Sequence, residues 1–253
     1  MKKQAMGILL LCFLLGFKKP ADTKITVAVA ANMQYAFTAL QQEYEKKTGV
    51  KIEPVIGSSG KLTQQITEGA PFDIFISADT KYPQTLFQAH LTADSPKIYA
   101  NGVLVLWSVK PGVKPAANLQ LLTGIDIKSI AIANPKTAPY GVAAEEILKN
   151  YNLLDKVQAK IVYGESITQT SQYIASQAAD IGFTAKSVVL SDEMKGKGTW
   201  VGLDAKKYSP IAQAAVILKY GKEHNAEAAQ KFYDYLYSSS AKKILKKFGY
   251  IVK

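Results

Sequence analysis

The chain has no arginine; all 31 of its basic residues are lysine. Arginine's planar fork is the usual bidentate clamp for carboxylate and phosphate. An anion site in this chain must therefore be built from lysine, hydroxyls or backbone N–H groups. Cysteine is reduced to Cys12, and histidine to His90 and His224. An intrachain disulfide is excluded, and a Cys/His metal site has too few residues to build from. No Walker loop is present. No basic–aromatic motif for nucleic acid occurs either, so no nucleic-acid partner is expected. The lysines are scattered, with small clusters at Lys206-Lys207 and at Lys242, Lys243, Lys246 and Lys247, and read as a solvated surface. The main hydrophobic run, Ala5 to Phe17, is 13 residues. A bilayer span needs roughly 20.

That run follows Lys2 and Lys3, so residues 1–21 read as a signal peptide for export to an extracytoplasmic, periplasmic location. Ala21 suits the cleavage site, but Lys19 stands where a small residue is wanted, which leaves a retained N-terminal anchor as the alternative. Cys12, between Leu11 and Phe13, lacks the setting of a lipid-attachment cysteine and reads as one more apolar residue. No acid lies in residues 1–21, so removing their four lysines takes the net charge from +11 to +7.

The remainder has ample apolar content for a core, in a length near the point where one core splits into two. Strand and helix patterns alternate. The runs at Lys24–Ala31, Val50–Ile56 and Asp73–Ala78 read as strands, separated by helices at Met33–Lys47 and Gly60–Glu68. A second alternating set runs from Ser129–Asn134 through helix Val142–Tyr151, strand Lys160–Tyr163 and helix Ile167–Ala178 to strand Ile181–Thr184. Two such sets predict an α/β fold with parallel sheets in two lobes, with a single doubly wound sheet as the alternative that the pattern alone leaves open. The apolar strands Gly102–Ser108 and Gln213–Leu218 are the candidates for crossing between them. Residues 22–101 with 212–253 are expected to form lobe 1, and 102–211 lobe 2. Ala226–Phe248 reads as a closing helix.

Four loops share one design: strand, short polar turn, helix. They are Ala30-Ala31-Asn32-Met33, Gly57-Ser58-Ser59-Gly60, Ala138-Pro139-Tyr140-Gly141 and Gly164-Glu165-Ser166-Ile167. Ligands of open α/β sheets bind at the carboxyl ends of strands. A helix start offers unpaired N–H groups and a positive dipole end, which suits an anion. Asn32 has the type and place of a helix cap, and Ser166 with Gln169 has capping-box spacing. The loops divide two and two between the lobes and so are placed to face each other across a cleft. Nothing supports catalysis comparably. A serine hydrolase using Ser59 needs a base, and neither His90 nor His224 falls in these loops. Gly57-Ser58-Ser59-Gly60 lacks nucleophile-elbow spacing. Asp73 and Asp79 bracket a strand and read as end caps. No enzyme activity and no cofactor are expected.

The segments V-A-V-A-A-N, G-S-S-G-K-L, A-P-F-D-I-F-I-S-A-D and A-P-Y-G-V-A-A resemble the periplasmic molybdate-binding protein family. So do Gly164 through Ile181-Gly182-Phe183 and the closing K-F-Y-D-Y-L-Y…I-L-K-K-F-G-Y. The resemblance covers roughly residues 24–253. It implies a two-lobed type II periplasmic binding protein with two crossover strands. It implies molybdate or tungstate held by neutral donors, with no metal site other than through the oxyanion, and delivery by a monomer to an ABC permease. Carried over residue by residue, the ligand contacts fall at Asn32, Ser59, Tyr140 and Ile167, with Ala31 and Ser58 as further contacts. In some members a tyrosine hydroxyl follows the G-F strand; here Ala185 stands at that place. Sulfate or another tetrahedral oxyanion is the alternative ligand.

Overall fold

Residues 24–252 are described by the computed structural model. The signal peptide, the anchor alternative and Cys12 lie outside the described residues. β1 (Lys24–Ala30) is buried along most of its length, as a strand covered on both faces should be. A 3-10 turn at Ala31–Met33 leads into α1 (Gln34–Thr48), which buries Phe37, Leu40 and Tyr44 and stops at Gly49, whose φ of 74° is left-handed. The chain continues through β2 (Lys51–Gly57), α2 (Ser59–Thr67), β3 (Ile74–Ile76), α3 (Lys81–Gln88) and β4 (Lys97–Gly102). Only Val103 separates β4 from β5 (Leu104–Ser108). Next come β6 (Ile130–Ala133), α4 (Pro139–Asn150), α5 (Leu154–Val157), β7 (Ile161–Gly164), α6 (Ile167–Ala175), β8 (Ile181–Ala185), α7 (Lys186–Val189) and β9 (Thr199–Gly202). β10 (Ile211–Ile217), α8 (Lys219–His224), α9 (Ala226–Leu236) and α10 (Ser239–Lys247) complete it.

The strands form two five-stranded sheets of matching plan, β2-β1-β3-β10-β4 and β7-β6-β8-β5-β9. In the first, β1 is parallel to β2 and β3, and β10 is antiparallel to β3 and β4. In the second, β6 is parallel to β7 and β8, and β5 is antiparallel to β8 and β9. The chain crosses between sheets at Val103 and again between β9 and β10. This is the two-lobed type II binding-protein architecture. One apolar cluster packs α1, α9 and α10 on the first sheet, and a smaller one packs Leu62, Ile66 and Leu86 on its other face. The second lobe's core reaches across to Ala30, Ala31 and Ala78, small residues that let the lobes approach closely.

Three of the expected elements differ from the sequence pattern, and α3, α5, α7, α8 and β9 form where the pattern assigned none. Gly102 ends β4 and pairs with Ile211 in the first sheet, so the run read as one strand is divided at the crossover. The last strand begins at Ile211 and lies wholly in the first sheet. The closing helix is two helices, because the Ser238 hydroxyl accepts from the Ala241 N–H at 3.2 Å and starts α10 afresh.

Candidate functional site

Ala31, Asn32, Ser58, Ser59, Tyr140 and Ile167 line one small cavity, which the structure completes with Ala30, Ala78, Ala138 and Pro139. It sits where β1, β2, β6 and β7 end and helices begin. Its volume of ≈ 10 Å³ admits about one water-sized sphere. No lysine and no carboxylate lines it.

Each loop presents its donors differently. Asn32 does not cap α1. Its Nδ2 donates to Gln213 Oε1 at 3.0 Å and to the Tyr250 hydroxyl at 3.1 Å. Its carbonyl accepts from the Ser187 hydroxyl at 2.7 Å and the Tyr250 hydroxyl at 3.0 Å. These bonds hold the first loop rigidly from behind, and leave Asn32 Oδ1 buried without a partner. In the second loop, Ser59 Oγ accepts from the Ala78 N–H at 3.0 Å, which leaves its own O–H free to donate. Ser58 Oγ is buried and has no partner. A buried hydroxyl without a partner costs about 1–3 kcal/mol, so it marks a place where another group is wanted.

The lobe 2 loops offer backbone instead. Pro139 occupies the first position of α4 and has no N–H, so Tyr140 supplies the helix's leading donor. The turn is tight: a Cβ on Gly141 would lie 2.0 Å from the Ala133 carbonyl oxygen. The Tyr140 phenol turns away from the cavity and accepts from Gln213 Nε2 at 3.1 Å; burial drives its pKa well above the usual tyrosine range, so it stays neutral. In the fourth loop the capping box forms on its Ser166 side, while the Gln169 side chain reaches back one residue beyond the cap. Ser166 Oγ accepts from the Gln169 N–H at 3.4 Å, and Gln169 Oε1 accepts from the Glu165 N–H at 2.7 Å. Ile167 begins α6 directly after it, where first-turn N–H groups have no helical acceptor.

Contacts across the cleft hold the lobes together. The Gly60 N–H donates to Thr137 O at 2.9 Å, Thr168 Oγ1 to Gln34 Oε1 at 2.8 Å, and the Tyr82 hydroxyl to Lys136 O at 3.1 Å. A Cβ on Gly60 would lie 2.9 Å from Thr137 Cα, so this approach requires glycine. Lys61 and Glu165 pair across the opening at 2.7 Å. Glu165 lines an adjoining, larger groove of ≈ 490 Å³ that shares Ser58 with the small cavity, and is not itself among the residues of the small cavity.

Other candidates fall elsewhere. His90 is exposed just past α3, and His224 is exposed and stacked on Tyr220. Asp73 accepts from the Thr26 N–H and from Asn225 Nδ2. Asp79 accepts from the Tyr82 N–H and the Ser77 hydroxyl; burial holds its carboxyl above the ordinary range, although these two donors pull it back. Ala185 is buried at the head of α7, and two residues on, Ser187 holds Asn32 in place. Gln213, Tyr250 and Ser187 carry no local motif, and Gln213 is 181 residues from its partner Asn32.

Residues 25–251 match the model of the family described as bacterial extracellular solute-binding protein. The molybdate-binding protein ModA of Azotobacter vinelandii is 40% identical over 90% of this chain and 89% of its own length. The chain belongs to the ModA-like group of this family. The ModA protein of Rhodobacter capsulatus is 35% identical over 98% of this chain and 96% of its own. The solved structure of the Azotobacter vinelandii periplasmic molybdate-binding protein superposes with a TM-score of 0.85 at 36% identity, covering 90% of this chain and 99% of that one. Family members are solute-binding proteins rather than enzymes.

Proposed function

We propose that the chain captures molybdate or tungstate in the cleft between its lobes and delivers it, as a monomer, to an ABC permease. The lobes are residues 22–101 with 212–253, and 102–211, except that Gly102 and Ile211 at the boundaries pair in the first sheet, and residues 1–21 direct export. Ser58 and Ser59 supply side-chain donors, Tyr140 and Ile167 supply backbone N–H groups, Asn32 contacts the ligand from the first loop, and Ala31 completes the wall. The observation that carries this reading is a buried, uncharged cavity ringed by helix starts, with the Ser58 hydroxyl unpartnered at its edge. A fully deprotonated tetrahedral dianion asks only for donors. Each hydrogen bond to a charged group contributes about 1.5–3 kcal/mol. Several of them replace the missing arginine.

The test is a melting series with molybdate, tungstate, sulfate and phosphate. Ligand at about 1,000 times Kd adds about 4 kcal/mol of stability. Molybdate and tungstate are expected to raise Tm most, and sulfate less. Absence of any shift with the first two defeats the proposal, and a larger shift with sulfate reassigns the ligand.

A further inference from the structure

Behind the cavity lies a closed chain of buried polar groups that reaches both lobes. Gln213, fully buried at a bulge of β10, is its centre. Its Oε1 accepts from the Tyr99 hydroxyl at 2.7 Å and from Asn32 Nδ2 at 3.0 Å, and its Nε2 donates to the Tyr140 hydroxyl at 3.1 Å. With both Nδ2 protons used, on Gln213 and on Tyr250, Asn32 has only its acceptor, Oδ1, left unpartnered at the cavity. An acceptor there repels an oxyanion.

A carboxamide exchanges donor and acceptor by a half-turn. If Asn32 alone turned, its Oδ1 would face Gln213 Oε1, two acceptors in a buried site. If both amides turn together, all but one of these bonds can be remade: the single Tyr250 proton goes either to Asn32 Oδ1 or to the Asn32 carbonyl, which keeps its bond from Ser187. Gln213 Nε2 then donates to Asn32 Oδ1 and to the Tyr99 oxygen. Gln213 Oε1 accepts from Tyr140, and Tyr99 donates to Ser77 O, already 3.2 Å away. Asn32 Nδ2 is freed toward the anion. Glutamine satisfies both polarities; a carboxylate, which only accepts, satisfies one.

We propose that Gln213 is a positioning residue that sets which end of the Asn32 carboxamide faces the ligand, and so admits a dianion. The inference rests on the oxyanion reading given above. Through Tyr140 the same amide ties the polarity of the first loop to lobe 2.

Two measurements test it. Calorimetric titration with molybdate compares the unaltered protein with Gln213→Met and Gln213→Glu, each checked by melting and circular dichroism. Gln213→Met frees Asn32 to turn and should weaken binding by less than about tenfold. Gln213→Glu locks the unfavourable polarity and should weaken it by about a hundredfold or more, at or above the upper end of the worth of one hydrogen bond to a charged group. Equal losses in the two variants overturn the proposal. A neutron structure of the unaltered protein with molybdate decides the matter even where a variant fails to fold. Asn32 Nδ2 toward the anion and Gln213 Nε2 toward Asn32 Oδ1 supports it; Gln213 Oε1 still accepting from Asn32 overturns it. If the unaltered protein binds no tetrahedral dianion, the functional reading itself falls, and this inference with it. If it binds but the amides stay as they are, only the inference falls.

Discussion

The two halves of the cleft do the same work with different parts. Lobe 1 offers side chains: the Ser58 and Ser59 hydroxyls and the Asn32 amide, the last two steered by neighbours distant in sequence. Lobe 2 offers main chain: the N–H groups at the starts of α4 and α6, set by Pro139 and by the Ser166–Gln169 capping box. A side-chain donor is lost with one substitution. A backbone donor survives almost any side chain that keeps the turn. Sensitivity to mutation should therefore be lopsided, even where ligand contacts are evenly shared.

The largest effect is expected where the halves meet. Gly60→Ala places a methyl against the Thr137 backbone and keeps the lobes from closing. If the closed form falls to about one molecule in a hundred, apparent Kd rises about a hundredfold. Alanine favours α2 by up to about 1 kcal/mol relative to glycine, so the free protein should melt no lower. Small-angle scattering that still shows full ligand-induced compaction in this variant refutes the closure argument.

Next comes Ser59→Ala, which removes one donor to the anion and strands the Ala78 N–H. Affinity should drop by about tenfold to a hundredfold, the worth of one hydrogen bond to a charged group. A titration showing less than a threefold change (about half of a neutral hydrogen bond) removes Ser59 from the ligand set.

The Lys61–Glu165 pair closes the opening, but both side chains are more than half exposed. Exposed pairs contribute about 0–1 kcal/mol, so Lys61→Ala should change affinity less than about fivefold. That small loss should vanish in high salt. A salt-independent loss means that Lys61 acts on the ligand directly.

The smallest effect sharpens the comparison most. Ile167→Val keeps the backbone N–H and the apolar wall, and binding should be unchanged within calorimetric error. A loss comparable to that of Ser59→Ala would show that lobe 2 also works through its side chains.

Much of this molecule was written locally. The alternating apolar runs settled two α/β sets, because strand and helix periods are read within a few residues. The four turns settled where donors gather, since Pro139, the Ser166–Gln169 box and Gly57-Ser58-Ser59-Gly60 each act over one helix turn. The missing arginine left lysine, hydroxyls and backbone N–H groups to hold an anion here, and the family resemblance implied the neutral ones. Tertiary structure decided what local pattern cannot encode. It divided the run at Gly102–Ser108 between two sheets, because pairing partners and not apolarity assign a strand. It took Asn32 from a presumed cap and bound it to Gln213 and Tyr250, 181 and 218 residues away. It also brought Gly60 against Thr137, where the absence of one Cβ lets the lobes close. Such contacts depend on the packing of the whole chain, and no local period or spacing records them.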